Sequence, residues 1–242
     1  MAKTLRLDKI LSHMGYGSRK EITRLCKAGI ITVDGKVVKS SSQHIDPVAS
    51  IIKVGEEEVN YREFVYILMN KPAGVISATE DSRHQTVVDL LDVEYRSFDV
   101  FPVGRLDIDT EGFLLLTNDG QLAHRLLAPK KHVPKTYYAH VEGNVTEEDV
   151  IAFKGGVTLD DGYQTKPGEL TILKSDAISE IELTIYEGKF HQVKRMFEAV
   201  GKKVIYLKRI AMGSLKLDED LELGEYREMT PEELEELTKL DS

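Results

Sequence analysis

Three carboxylates stand within five positions in "GRLDIDTEGFLLLTNDG": Asp107, Asp109 and Glu111, set directly against the apolar run from Phe113 to Leu116. Such a cluster faces water, holds a metal ion or reacts. A calcium loop takes its ligands from alternate positions, with glycine at the sixth and a bidentate glutamate at the twelfth. Counted from Asp107, Gly112 fits, but the twelfth position is Asn118, and Phe-Leu-Leu-Leu between them reads as strand. A glycosidase needs two carboxylates roughly 5 to 10 Å apart across a sugar, and nothing in this spacing separates an acid from a nucleophile. A turn cap at Asp107 with solvated neighbours is the plain structural alternative. The reactive alternative is an aspartate nucleophile, which works only when ionised and, if buried, needs a cation beside it.

The surrounding pattern predicts the elements that would position such a group. "GFLLLT" reads as a buried strand, as do "VYILMNK", "KTYYAHVEG", "GELTILK" and "EIELTIYEG". Several alternate apolar and polar residues, as antiparallel strands with one wet face do. Helical periodicity is read at "TVVDLLD", "LAHRLLA", "TEEDVIAF" and "HQVKRMFEAV". In the last, Val193, Met196, Phe197 and Val200 recur on one face, Lys194 flanks it and Gly201 ends it. Together they predict a mixed α/β domain on an antiparallel sheet. The closing "TPEELEELTKL" reads as an acidic helix capped by Thr230, with Pro231 in its first turn.

Ahead of this lies a smaller unit. Leu7, Ile10 and Leu11 give a first short helix, broken by Gly15 and Gly17. Ser18 and Glu21 have the spacing of a capping box before a second helix that carries Arg19, Lys20, Arg24 and Lys27. "ITVDGKVV" then reads as a hairpin turning at Asp34-Gly35. The expected division is residues 1–59 and 60–242.

Charge separates the same two parts. Residues 1–55 hold ten Lys/Arg against four Asp/Glu, whereas residues 217–242 hold eleven acidic against two basic residues, which accounts for the whole net charge of −9. A basic N-terminal unit on a neutral body suits a polyanionic partner. The single Cys26 permits no internal disulfide, and no signal peptide or membrane-length apolar run is evident. Cytoplasmic location is expected. Phosphate-loop and dinucleotide glycine motifs are absent.

Residues 5–55, through Arg6, Asp8, Lys9, Ser18, Arg19, Glu21 and "VDGKVV", resemble the S4 RNA-binding domain. "GRLDIDTEGFLLLTNDG", "KTYYAHVEG" and "EGKFHQVKRMFEAVG", with "MNKPAGVISATEDSRHQTVVDLL" and "TKPGEL", resemble the RsuA-type pseudouridine synthases, which modify ribosomal RNA. The "TKPGEL" and "HQVKRMF" forms look closer to the small-subunit branch. The fold class implied is α+β, an S4-like helical and hairpin domain followed by a mixed α/β catalytic domain.

The resemblance implies isomerisation of one uridine of 16S rRNA, uridine 516, to pseudouridine, without metal or cofactor. It assigns Asp107 as nucleophile and Lys194 as its cation. In "KTYY" a strand would point the two tyrosines to opposite faces, and the residues alone leave the choice even; the family's Lys-x-Tyr pattern selects Tyr137 to stack on the flipped base. Arg105 would fill the gap the base leaves, its alternative being an ion pair to Asp109 or Glu111. Arg6, Lys9, Arg19, Lys20, Arg24, Lys27 and Arg195 would contact RNA. Ribosomal RNA or a partly assembled small subunit is the expected partner, no membrane is involved, and a monomer is expected. A 23S rRNA synthase of the same family, or a non-catalytic S4-type assembly factor, are the alternatives.

Overall fold

The computed structural model describes residues 4–128 and 131–239. The chain divides into two compact units, one of residues 1–65 with 91–100, the other of residues 66–90 with 101–242.

In the first unit β1 (Leu5–Arg6) leads into α1 (Leu7–His13) and α2 (Arg19–Ala28). Four short strands, β2 (Ile31–Val33), β3 (Lys36–Val37), β5 (Ile52–Val54) and β6 (Glu57–Glu58), form a sheet in the order β3-β2-β5-β6, while β4 (His44–Ile45) pairs with β1. Leu7, Ile10, Leu11, Ile22, Cys26 and Ile31 build its core. The Ser18–Glu21 capping box forms, the Glu21 carboxylate accepting from the Ser18 amide at 2.7 Å. Asp34 and Gly35 both take positive φ, 50° and 75°, which a two-residue hairpin matched to strand twist requires.

A short helix, α3 (Val93–Arg96), also belongs to this unit. The helix expected at "TVVDLLD" is a turn instead. The Val87 amide donates to Ile76, and Thr86 and Asp89 bond each other's amides, so the backbone there is committed to a bridge rather than to helical bonds.

The second unit is built on a sheet in the order β11-β12-β10-β13-β9-β7-β15. Its strands are β7 (Tyr66–Lys71), β8 (Phe101–Pro102), β9 (Glu111–Thr117), β10 (Lys135–Glu142), β11 (Glu169–Lys174), β12 (Ile178–Ile185), β13 (Lys203–Met212), β14 (Leu215–Lys216) and β15 (Tyr226–Glu228). All neighbours are antiparallel except β9 and β13, which run parallel. β13, ten residues long and not foreseen from the sequence, holds the centre between β9 and β10.

β10 and β12 alternate as expected: Tyr137, Ala139 and Val141, then Ile181, Leu183 and Ile185, are buried, and the residues between them are partly wet. β9 is buried on both faces, which explains its unbroken apolar run. Helix α4 (Gly120–Leu127) and the acidic α7 (Pro231–Lys239) cover one side, with Leu122, Leu126 and Leu237 packed near Phe113 and Leu115. The acidic tail is thus anchored by an apolar edge; Leu240, the last residue of the expected helix, lies outside the described residues. Helices α5 (Glu147–Gly155) and α6 (Gln192–Ala199) meet through Phe153 and Phe197, ring centroids 4.9 Å apart.

Gly112 marks the point where β9 meets β13. Its φ is +100°, and a Cβ there would lie 2.2 Å from the Arg209 carbonyl oxygen. Only glycine admits that approach.

Candidate active site

Asp107 sits on the loop that enters β9, and the segment following β7 braces that loop from beneath. The Lys71 ammonium, fully buried, donates to the carbonyls of Pro72, Asp107 and Thr110 at 3.0, 3.1 and 2.9 Å. Gly74 donates its amide to Ile108 at 2.7 Å, and buried Ser77 both donates to Leu106 and accepts from its amide, at 3.1 and 3.0 Å. "NKPAGVIS" is therefore the cradle of "GRLDID". Burial pushes the Lys71 pKa down to about 8, against the opposing charges of Asp107, Asp109 and Glu111. Sequence reasoning gave Lys71 no role, although a lysine ending an apolar strand was the available signal.

Helix α6 brings the cation. Lys194 Nζ lies 3.4 Å from Asp107 Oδ2, and 2.7 and 2.9 Å from the two oxygens of Asp109. Burial acts to raise the Asp109 pKa, but the hydrogen bond and charge of Lys194 hold it below the usual carboxylate range. Asp107 remains about a quarter exposed, so its carboxylate is both close to a cation and reachable. Glu111 faces elsewhere and accepts from the Tyr206 hydroxyl at 2.7 Å. The acidic cluster is thus divided: Asp107 toward the cleft, Asp109 on the lysine, Glu111 on a tyrosine.

His191, also unassigned from sequence, stands before α6 with φ +48° and places Nε2 3.5 Å from Asp107 Oδ1. Its ring stacks on that of exposed Phe190, centroids 3.7 Å apart. Buried Gln192 fixes this segment, accepting from the Lys189 amide and donating to Glu187, at 2.8 and 2.7 Å. Glu187 in turn receives the Tyr163 hydroxyl and the Lys166 amide, at 2.7 and 3.0 Å, which ties in the "TKPGEL" segment.

These groups open on a cleft of about 1080 Å³, lined among others by Arg105, Asp107, Tyr137, His191 and Lys194. Such a volume accepts a nucleotide-sized ligand. Tyr137 is buried on the cleft side of β10, whereas Tyr138 turns to the other face and donates to Glu180 at 2.7 Å. Arg105 is exposed on the cleft wall; neither Asp109 nor Glu111 pairs with it, since Lys194 and Tyr206 hold them.

The remaining cations separate. Lys9, Arg19, Lys20, Arg24 and Lys27 are exposed on α1 and α2. Arg6 is engaged, bonding Asp8 through Nε and Nη2 at 3.0 and 2.6 Å. Arg195 does not line the cleft; its guanidinium is clamped by Asp160 and Asp161, at 2.6 and 2.7 Å. Among the described residues no three His, Cys, Asp or Glu side chains stand together as a metal site.

Residues 65–199 match the model of the RNA pseudouridylate synthase family, and residues 5–49 match that of the S4 domain. The chain belongs to the RNA pseudouridine synthases, in the RsuA/RluB group that carries an N-terminal S4 domain. It is 57% identical over 231 residues to an uncharacterized RNA pseudouridine synthase, YtzG, of Bacillus subtilis, covering 95% of this chain and 97% of that one. It is also 40% identical to the ribosomal small subunit pseudouridine synthase A of Yersinia pestis, over 95% and 97% of the two chains. The ribosomal large subunit pseudouridine synthase B of Bacillus subtilis matches at 40%, over 97% and 96%. A solved pseudouridylate synthase superposes with a TM-score of 0.68 at 37% identity, over 96% of this chain and 99% of that one.

Proposed function

We propose that this enzyme converts one uridine of 16S rRNA, uridine 516, to pseudouridine, with Asp107 as the nucleophile. The observation that carries the reading is the placement of Asp107, which is braced through its own carbonyl by Lys71, set 3.4 Å from the Lys194 ammonium and open to the cleft beside Tyr137. An isomerisation needs a positioned, ionised nucleophile and a pocket for the extruded base. Tyr137 stacks on that base, and Arg105 on the exposed wall occupies the space it leaves in the RNA. The exposed cations of α1 and α2 hold the phosphates.

The small-subunit synthases of Yersinia pestis and Vibrio cholerae, 40% and 41% identical, support the 16S assignment, although a large-subunit relative is equally similar. On this reading the enzyme acts as a monomer on rRNA or a partly assembled small subunit. Among the described residues no helix is long and apolar enough to cross a membrane. A ribosomal substrate would place the enzyme in the cytoplasm.

The test is carbodiimide-stop primer extension on 16S and 23S transcripts and on partly assembled small subunits treated with the enzyme. A single new stop at uridine 516 is expected. A stop in 23S rRNA alone would overturn the substrate, and tight, salt-sensitive binding with no stop anywhere would favour the assembly-factor alternative.

A further inference from the structure

The cleft wall also holds two cations, Lys135 and Arg209, that pair with no carboxylate among the described residues. Arg209 on β13 registers opposite Tyr137 on β10, and Lys135 lies two residues before Tyr137, on the same face. Both line the cleft. Arg209 is 1% exposed; its Nε donates to the Phe113 carbonyl at 2.8 Å, while Nη2 has no hydrogen-bond partner. The half-buried Lys135 ammonium donates to the Val133 carbonyl at 3.1 Å. Thr110, also on the cleft, keeps its hydroxyl oxygen buried and unpartnered.

Neighbouring cations without a counter-charge are a cost that folding alone gives no reason to retain. Burial and, secondarily, the charge of Arg209 hold the Lys135 pKa down to about 8, and no acid opposes them. An orphaned donor beside a cleft is accounted for when the substrate brings the missing acceptor.

On the reading of this cleft as the site of uridine isomerisation, we propose that Lys135 and Arg209 take up the negative charge that develops on the carbonyl oxygens of the uracil. When the N1–C1′ bond breaks, its electron pair stays with the base and spreads over N1, O2 and O4. If Asp107 instead adds to C6, the pair displaced from the C5–C6 double bond runs onto O4. In both routes the N1–C1′ bond breaks and the carbonyl oxygens become the anionic atoms; C5 then bonds C1′, the Asp107 carboxylate leaves C1′ or C6 with its electron pair, the C5 proton departs and N1 gains one. Tyr137, opposite Arg209 in register and two residues from Lys135, would hold the ring while this charge passes.

The experiment is single-turnover kinetics of the full chain on RNA carrying either uridine or 5-fluorouridine at the modified position. Wild type, Lys135→Met and Lys135→Arg are compared, and nucleosides are resolved after digestion. Lys135→Met is expected to lower the rate of base detachment on the order of a hundredfold with RNA affinity unchanged. Lys135→Arg should recover part of the loss. With 5-fluorouridine, whose base is more acidic and bears the charge with less help, the Lys135→Met defect should shrink. An equal defect on both substrates, or a loss confined to RNA affinity as for a group that only holds phosphate, would overturn the assignment. Should Lys135→Met fail to fold by circular dichroism, Lys135→Gln carries the same comparison. Wild type inert on every uridine substrate would overturn the underlying reading, whereas active wild type with an equally active Lys135→Met would overturn this assignment alone.

Discussion

Asp109 grips the Lys194 ammonium with both carboxylate oxygens, at 2.7 and 2.9 Å. That grip leaves Lys194 3.4 Å from Asp107, near enough to pair with it without closing over it. Asp109→Asn should therefore lower kcat by about tenfold, roughly 1.4 kcal/mol, with little change in KM. Lys194→Met should cost more than Asp109→Asn, because it leaves two carboxylates without their cation. Single-turnover rates decide the order, and an Asp109→Asn enzyme as slow as Lys194→Met would give Asp109 a direct part in the chemistry.

Lys71 supports Asp107 through the backbone rather than through charge pairing. Lys71→Met would leave three carbonyls without a donor, at about 1 kcal/mol each, but would also relieve the burial of a charge. Stability should shift by no more than about 2 kcal/mol, while kcat falls at least about tenfold as the loop loosens. Urea denaturation beside turnover separates the two. Activity that merely tracks stability would contradict the brace.

Lys71 and Lys135 also predict an alkaline gain in stability. Each has its pKa lowered to about 8 in the folded protein from an ordinary 10.5, so the unfolded chain binds more protons across that interval. Stability contributed by these groups rises with pH from about 8 toward 10.5. Wild type should gain on Lys135→Met over that window in denaturation midpoints, and a constant difference would refute the buried, uncompensated state of Lys135.

Gly112→Ala tests the junction of β9 and β13. A Cβ 2.2 Å from the Arg209 carbonyl at φ +100° must push the parallel pair apart. A loss of more than about 3 kcal/mol is expected in chemical denaturation. Near-wild-type stability would mean that β9 and β13 do not approach this closely.

The elements that hold this site differed in how plainly the sequence displayed them. The Ser18–Glu21 box, the Asp34-Gly35 turn and the cap at Thr230 were legible because each is a local bond between residues three or fewer apart. "TVVDLLD" misled because helical spacing of apolar residues says nothing of Ile76, which takes up its backbone from ten residues away. β13 escaped because it is half-wet on several residues and borders lysines and arginines that read as surface. Lys71, His191 and Arg209 were illegible as parts of the site, since their meaning lies in what β7, α6 and β13 bring beside Asp107 and Tyr137. Arg195 shows the reverse: a cation on the right helix, yet committed to Asp160 and Asp161.

The exposed row Arg19, Lys20, Arg24 and Lys27 should govern salt dependence. Replacing each by Gln should reduce the slope of log K against log salt by about 0.7 to 0.9 for every phosphate no longer neutralised. Arg195→Gln should leave that slope unchanged. Filter binding at several salt concentrations distinguishes them, and a slope insensitive to the α2 changes would place the phosphate-binding cations elsewhere.

The most direct test is to incubate wild type, Asp107→Asn and Asp107→Glu with the modified RNA at single turnover and quantify pseudouridine after digestion. Wild type should convert one uridine per RNA, Asp107→Asn should bind with unchanged affinity and form none, and Asp107→Glu should be severely slowed by its displaced carboxylate. Pseudouridine formed by Asp107→Asn at a rate near that of wild type would show that the carboxylate beside Lys194 is not the nucleophile.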